Sequence, residues 1–156
     1  MLTYDNFFIQ VMEPFIDHIQ ITVKDLKVAE EFYDKFLPLL GFDITKKVSA
    51  VIEEHDFHVI EYTHSNLAFA ITSPRKAFVN DTIHRRKPGS LHHIAFKAET
   101  RKEVDTIYSE LRKIGANIVY KPRFYPEYSP DYYAVFFKDF EGIKYEVVCT
   151  EKEKYK

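Results

Sequence analysis

Cysteine is nearly absent from the chain, with Cys149 the single example among 156 residues, and tryptophan is missing altogether. One thiol excludes an intrachain disulfide and suits a reducing compartment, so a cytoplasmic location is expected. Long apolar runs are also lacking. Nothing approaches membrane-spanning length, and residues 1–15 have neither a basic start nor a continuous apolar core, so no signal peptide or membrane partner is expected. Charge of one sign is not in excess: the net charge is −2, and the short Arg85-Arg86-Lys87 cluster is the main basic feature. Nucleic acid is not an expected partner. What the chain has in quantity is aromatic surface, 14 Phe and 11 Tyr. A chain of this length buries roughly 68–70% of its unfolded surface, enough for one domain or two small modules sharing a core.

The hydrophobic pattern repeats. Asp17-His18-Ile19-Gln20-Ile21-Thr22-Val23 alternates with Ile19, Ile21 and Val23 on one face. Ser90-Leu91-His92-His93-Ile94-Ala95-Phe96-Lys97-Ala98 does the same with Ile94, Phe96 and Ala98. Each stretch precedes a helical pattern that ends at a glycine, Gly41 or Gly115, giving an internal repeat offset by about 75 positions. In the first copy Asp25 N-caps a helix over residues 26–40, with Pro38 loosening its last turn, and strands follow at 42–52, 55–61 and 67–72. In the second copy Thr100 and Glu103 form a capping-box pattern. Strands then follow at 117–121, 132–138 and 143–149, with an aromatic loop at 122–131. A short helix is expected at 79–83, within the connector. The domain spans 1–150, with modules 14–73 and 90–149 joined by a linker at 74–89. Residues 1–15 read as an arm held by Phe7, Phe8 and Ile9.

Alternation also sorts the polar residues. The apolar face of each first strand must meet a helix, so the opposite faces look into a shared concavity. On the last strand Tyr145, Val147 and Cys149 take the helix side, leaving Lys144, Glu146 and Val148 inward; Cys149 is then a buried structural thiol. His18, His93 and Glu146 share the inner face. Two imidazoles and a carboxylate suit a divalent ion with open positions. The competing reading is three unrelated polar side chains, or core histidines satisfied by hydrogen bonds.

With these stretches in view, and with Tyr132-Tyr133-Ala134-Val135-Phe136-Phe137-Lys138-Asp139-Phe140-Glu141-Gly142-Ile143-Lys144-Tyr145-Glu146 beside them, the chain resembles the vicinal-oxygen-chelate superfamily of glyoxalases, bleomycin-resistance proteins and extradiol dioxygenases. Phe140 stands where proline is usual in the turn, and Glu141 where aspartate is usual. The resemblance implies an α+β fold: two βαβββ modules forming a curled mixed sheet around a central cavity, helices outside. It implies a homodimer, which the aromatic arm would suit. It also carries over His18, His93 and Glu146 as ligands of a divalent metal (Zn, Mn, Fe or Ni), with Glu146 also catalytic.

Glyoxalase I proteins have a further carboxylate ligand on the last strand of the first module. Glu146 follows His93 by 53 positions, and the residue 52 positions after His18 is Ala70, whose methyl group binds no metal. The resemblance therefore implies a metal-dependent lyase, transferase or dioxygenase acting on a small oxygenated substrate, and argues against ordinary glutathione-dependent glyoxalase I. The alternative is a non-catalytic, bleomycin-resistance-like binding protein. Lys144, Tyr133 and His58 are the candidate substrate-binding residues. His92 points to the other face and is set apart as either a packing residue or one that supports the ligand beside it, and the basic linker clusters as groups that could flank a site mouth and attract an anion.

Overall fold

The computed structural model describes residues 15–150. The first module comprises β1 (His18–Thr22), α1 (Leu26–Phe36), β2 (Asp43–Ile52), β3 (Phe57–Thr63) and β4 (Ala68–Thr72). The second comprises β5 (Ile94–Lys97), α2 (Arg101–Lys113), β6 (Asn117–Phe124), β7 (Tyr133–Lys138) and β8 (Lys144–Cys149). The proposed arm, apart from Phe15, and residues 151–156 lie outside the described residues.

The expectation of one curled sheet around a central cavity is corrected here. The strands form two separate four-stranded sheets, neither closed nor curled, in the orders β1-β4-β3-β2 and β5-β8-β7-β6. The reason is local. Each module finishes its own ladder: the strand before the helix pairs in parallel with the last strand, β1 with β4 and β5 with β8, and the remaining pairs are antiparallel. Among the described residues no ladder joins the modules, so side chains must.

Capping and punctuation explain the helices. The Asp25 carboxylate accepts the amides of Lys27 and Val28, starting α1. Pro38 cannot continue it, and the chain tightens into a 3-10 turn over Leu37–Leu40. Gly41, at φ +88°, takes the left-handed conformation that ends the turn. Thr100 and Glu103 form a complete capping box on α2.

The helix-facing sides of both sheets meet in one core. The Tyr33 ring of α1 lies 5.5 Å from Phe69 of β4 and 6.2 Å from Tyr145 of β8. Phe36 packs on Phe137 at 5.1 Å and on Phe96 at 6.1 Å. All of these but the half-buried Phe96 are fully buried, and each such side chain stabilises the fold by about 1.5–3 kcal/mol. Polar ties cross the same seam. Tyr33 donates to Asp139 Oδ2 at 2.8 Å, so Tyr145 donates to Tyr33 at 2.5 Å. The Glu141 carboxylate accepts the amides of Lys24 and Asp25 at 2.7 and 2.5 Å. Cys149 is buried in this core, as its parity on β8 implies.

Several boundaries differ from the sequence reading; β3, for instance, runs over Phe57–Thr63 and not 55–61. Strand structure starts only at Ile94, not at Ser90, because β8 begins at Lys144 and offers 90–93 little to pair with. β6 runs on through Pro122 to Phe124. It is an edge strand with a register shift between Tyr120 and Arg123, where a missing amide costs little. The linker holds only a short 3-10 turn at Lys76–Phe78, in place of a helix at 79–83. Among the described residues no helix is long and apolar enough to cross a membrane.

Candidate functional site

The inner face of the second sheet is built from alternate residues of its central strands. β8 turns Tyr145 and Val147 into the main core, while Glu146 and Val148 face the other way. There Val148, Ala134 and Phe136 pack under Tyr125 and Tyr132 from the aromatic loop. Glu146 is 1% exposed, a buried carboxylate that needs partners. It has two. Tyr132 donates its hydroxyl to Glu146 Oε1 at 2.5 Å, and His93 Nε2 lies 3.4 Å from Oε2. Burial raises the Glu146 carboxyl above its ordinary value, opposed by the Tyr132 hydrogen bond and the Lys144 charge. Burial, helped by the charges of Lys144 and Arg85, lowers the His93 imidazole and keeps it neutral near pH 7.

His92 belongs to the same network, contrary to its expected outward direction. Its Nδ1 is 2.7 Å from His93 Nδ1, and its Nε2 is hydrogen-bonded by the guanidinium of Arg85. A guanidinium only donates, so His92 Nε2 accepts and a neutral His92 carries its proton on Nδ1. That proton points at His93 Nδ1, which places the His93 proton on Nε2, facing Glu146. The chain of contacts runs from Arg85 through both histidines to Glu146 and Tyr132.

The other candidates do not all join it. His18 is exposed at the start of β1, and its Nδ1 pairs with Asp17 at 2.8 Å. Among the described residues no three His, Cys, Asp or Glu side chains gather closely enough to hold a metal ion. One chain thus brings together His93 and Glu146 but not His18. Tyr133 lies on the helix-facing side of β7 and donates to Asp105 of α2 at 2.8 Å. Its neighbour Tyr132 reaches Glu146 instead. His58 bonds Ser49 Oγ at 2.7 Å, and the β3–β4 register puts it on the face of Ile60 and Tyr62, opposite to that of His18. Lys144 does face inward, with its ammonium 4.1 Å above the Phe136 ring. Ala70 stands where its repeat position implies, paired with Gln20 of β1 and, on its other side, with Glu61 of β3. Glu61 is an exposed carboxylate sharing the His18 face, which the sequence reading passed over.

A profile of the Glyoxalase/Bleomycin resistance protein/Dioxygenase superfamily matches residues 15–147. The chain belongs to this superfamily. The Bacillus subtilis protein YqjT is 30% identical over 132 residues, covering 85% of this chain and 96% of that protein. A putative glyoxalase from Bacillus halodurans has 27% identity and a TM-score of 0.67, over 86% of this chain and 94% of that one. A superfamily domain from Frankia sp. EAN1pec superposes with a TM-score of 0.72 at 19% identity, over 90% of this chain and all of that one, a likeness of fold.

Proposed function

We propose that the protein is a divalent-metal-dependent enzyme of the superfamily, a lyase, transferase or dioxygenase, acting in the cytoplasm on a small oxygenated substrate as a homodimer. The observation that carries this reading is the buried Glu146 carboxylate held between Tyr132 and His93. A neutral imidazole and a buried carboxylate are the donor types such an ion takes. One chain fits only part of that set. His18 sits on an open face with exposed Gln20 and Thr22 beside it, so the reading requires a second copy to lay its β1 over the Glu146 face.

A divalent ion held there would act as a Lewis acid towards two vicinal substrate oxygens. The protein's own groups have separate tasks. Tyr132 fixes the rotamer of Glu146 and leaves its second oxygen directed at His93. Arg85 and His92 orient the His93 ring. Phe136 and Val148 wall the floor against water, and Lys144 offers a cation to the substrate. Tyr133 and His58 face elsewhere and have no part in it.

Shared sites make a specific prediction. His18→Ala and His93→Ala should each lose the metal while keeping the fold. Coexpressed, the two variants should recover about a quarter of the wild-type metal content, since half the dimers are mixed and each carries one intact site. No recovery, with dimers confirmed by light scattering, refutes the shared centre. Retention of metal by both single variants refutes the ligand set. A second reading is non-catalytic sequestration of a small molecule, which the apolar wall of Ala134, Phe136 and Val148 beside Tyr125 and Tyr132 would suit. Wild-type protein that never binds metal in any oligomeric state would decide for it.

A further inference from the structure

A cavity of about 340 Å³ lies where the two modules meet, roofed by the linker. Its walls come from four places. Gln20 and Thr22 of β1 supply an amide and a hydroxyl, Arg85 and Ser90 of the linker a guanidinium and a hydroxyl, and Lys144 of β8 an ammonium. His84 and the Gly142 turn complete the polar lining. Among the described residues no aspartate or glutamate lines it. The two carboxylates nearest in sequence to Lys144 are already engaged, Glu141 by the amides of Lys24 and Asp25, and Glu146 by Tyr132 and His93. Neither Arg85 nor Lys144 forms an ion pair with a carboxylate among the described residues.

Two cations held in a concave, donor-rich wall, with no carboxylate paired directly to either among the described residues, make a site for a dianion. Lys144 feels the Glu146 charge, but that carboxylate is already engaged by Tyr132 and His93. A guanidinium contributes a planar fork of N–H donors and an ammonium a compact charge, and the Gln20 amide and Ser90 hydroxyl can fill the remaining acceptor positions of a tetrahedral oxyanion, while the Thr22 hydroxyl donates to Thr72. The volume is within the range of small-molecule sites and exceeds what a bare ion needs. Lys144 and Glu146 share a face of β8, two positions apart, so a molecule anchored at Lys144 extends towards the His93–Glu146 pair. We propose that this inter-module cavity binds the phosphate group of a small phosphate monoester, with Arg85 and Lys144 as its two anchoring cations. The molecule's oxygenated end then points at Glu146. The assignment goes beyond the metal reading and does not depend on it.

The experiment is carried out on chelator-treated, metal-free protein, so its outcome is separate from that of the metal centre. Glycerol 3-phosphate and inorganic phosphate are titrated calorimetrically at constant ionic strength set with chloride. The ester should bind saturably, and at least tenfold more tightly than inorganic phosphate. Arg85→Ala should weaken the ester at least tenfold. Gln20→Glu, a change at an exposed strand position, should abolish binding by placing a negative charge in the pocket while both cations remain. Circular dichroism and thermal unfolding confirm that each variant is folded. Equal affinity for free phosphate and ester overturns the monoester assignment. Ester binding that survives Gln20→Glu, or that is absent from wild type, overturns the site.

Discussion

Replacing Asp139 tests how the two modules are held together. Its Oδ1 accepts the backbone amides of Glu141, Gly142 and Ile143 at 3.0, 2.8 and 2.8 Å, and its Oδ2 accepts the Tyr33 hydroxyl at 2.8 Å. Asp139→Ala removes the side-chain acceptor of all four, leaving the Gly142 amide only its longer bond to the residue 139 carbonyl at 3.4 Å and the two tyrosine hydroxyls with one acceptor fewer than their protons need. The Ile143 amide and the Tyr33 hydroxyl are buried, and each unpaired buried donor costs about 1–3 kcal/mol. The expected loss is about 3–4 kcal/mol, a large part of a total stability of about 5–15 kcal/mol. With a urea slope near 2 kcal/mol per molar, the unfolding midpoint falls by about 1.5–2 M at fixed protein concentration. Asp139→Asn should cost only about 1 kcal/mol. Its oxygen still serves the turn and its amide donates to Tyr33, which then turns its own proton to Tyr145 and leaves one Tyr145 proton unmatched.

The pH dependence has a definite sign. Burial raises the Asp139 carboxyl above its ordinary value, so the folded chain holds this proton more tightly than the unfolded chain does. Wild type therefore loses stability relative to Asp139→Asn as pH rises from about 3.9 through the folded value, and the deficit of the variant shrinks over that window. An alanine variant within about 1 kcal/mol of wild type, or an asparagine variant as damaged as alanine, would refute this account of the seam.

Two further substitutions probe other levels. Tyr132→Phe should weaken metal binding by roughly 10-fold, as loss of a partner that orients a ligand does, with far-ultraviolet circular dichroism unchanged; unaltered affinity in a metal titration would remove Tyr132 from the site. Thr100→Ala breaks the α2 capping box and should cost about 1 kcal/mol, read in a calorimetric scan as a melting point lower by about 2–4 °C.

Much of the secondary structure was legible because its signals are local. Asp25, Pro38, Gly41 and the Thr100–Glu103 pair act within a turn of the chain, and the structure uses each as its chemistry dictates. The facing of Glu146 was legible because Lys144 and Glu146 alternate with Tyr145 and Val147 on β8, an inner strand of its sheet. Tyr133 was harder. The run Ala134-Val135-Phe136-Phe137 is apolar on both sides of β7, so alternation does not announce which face meets a helix. His58 could have been excluded by parity with Ile60 and Tyr62. Tyr132, His92 and Arg85 lie outside regular strands, where no period fixes a side chain's direction. The joining of the modules was the least legible, because Tyr33 meets Asp139 and Tyr145 across more than a hundred positions. That expectation of one curled sheet came from resemblance, and the ladders close within each module instead.

The strict alternation of β8 has a consequence for how this chain can change over time. Tyr145, Val147 and Cys149 hold the shared core, while Lys144, Glu146 and Val148, one step away on the same backbone, face the candidate site. Selection for abundance and selection for chemistry therefore act on interleaved codons. A deep mutational scan of positions 144–149, scored once for cellular protein level and once for ligand capture, should give two sawtooth profiles out of phase by one residue. Ligand preference can drift along this strand through every second position without drawing on the stability stored in the others.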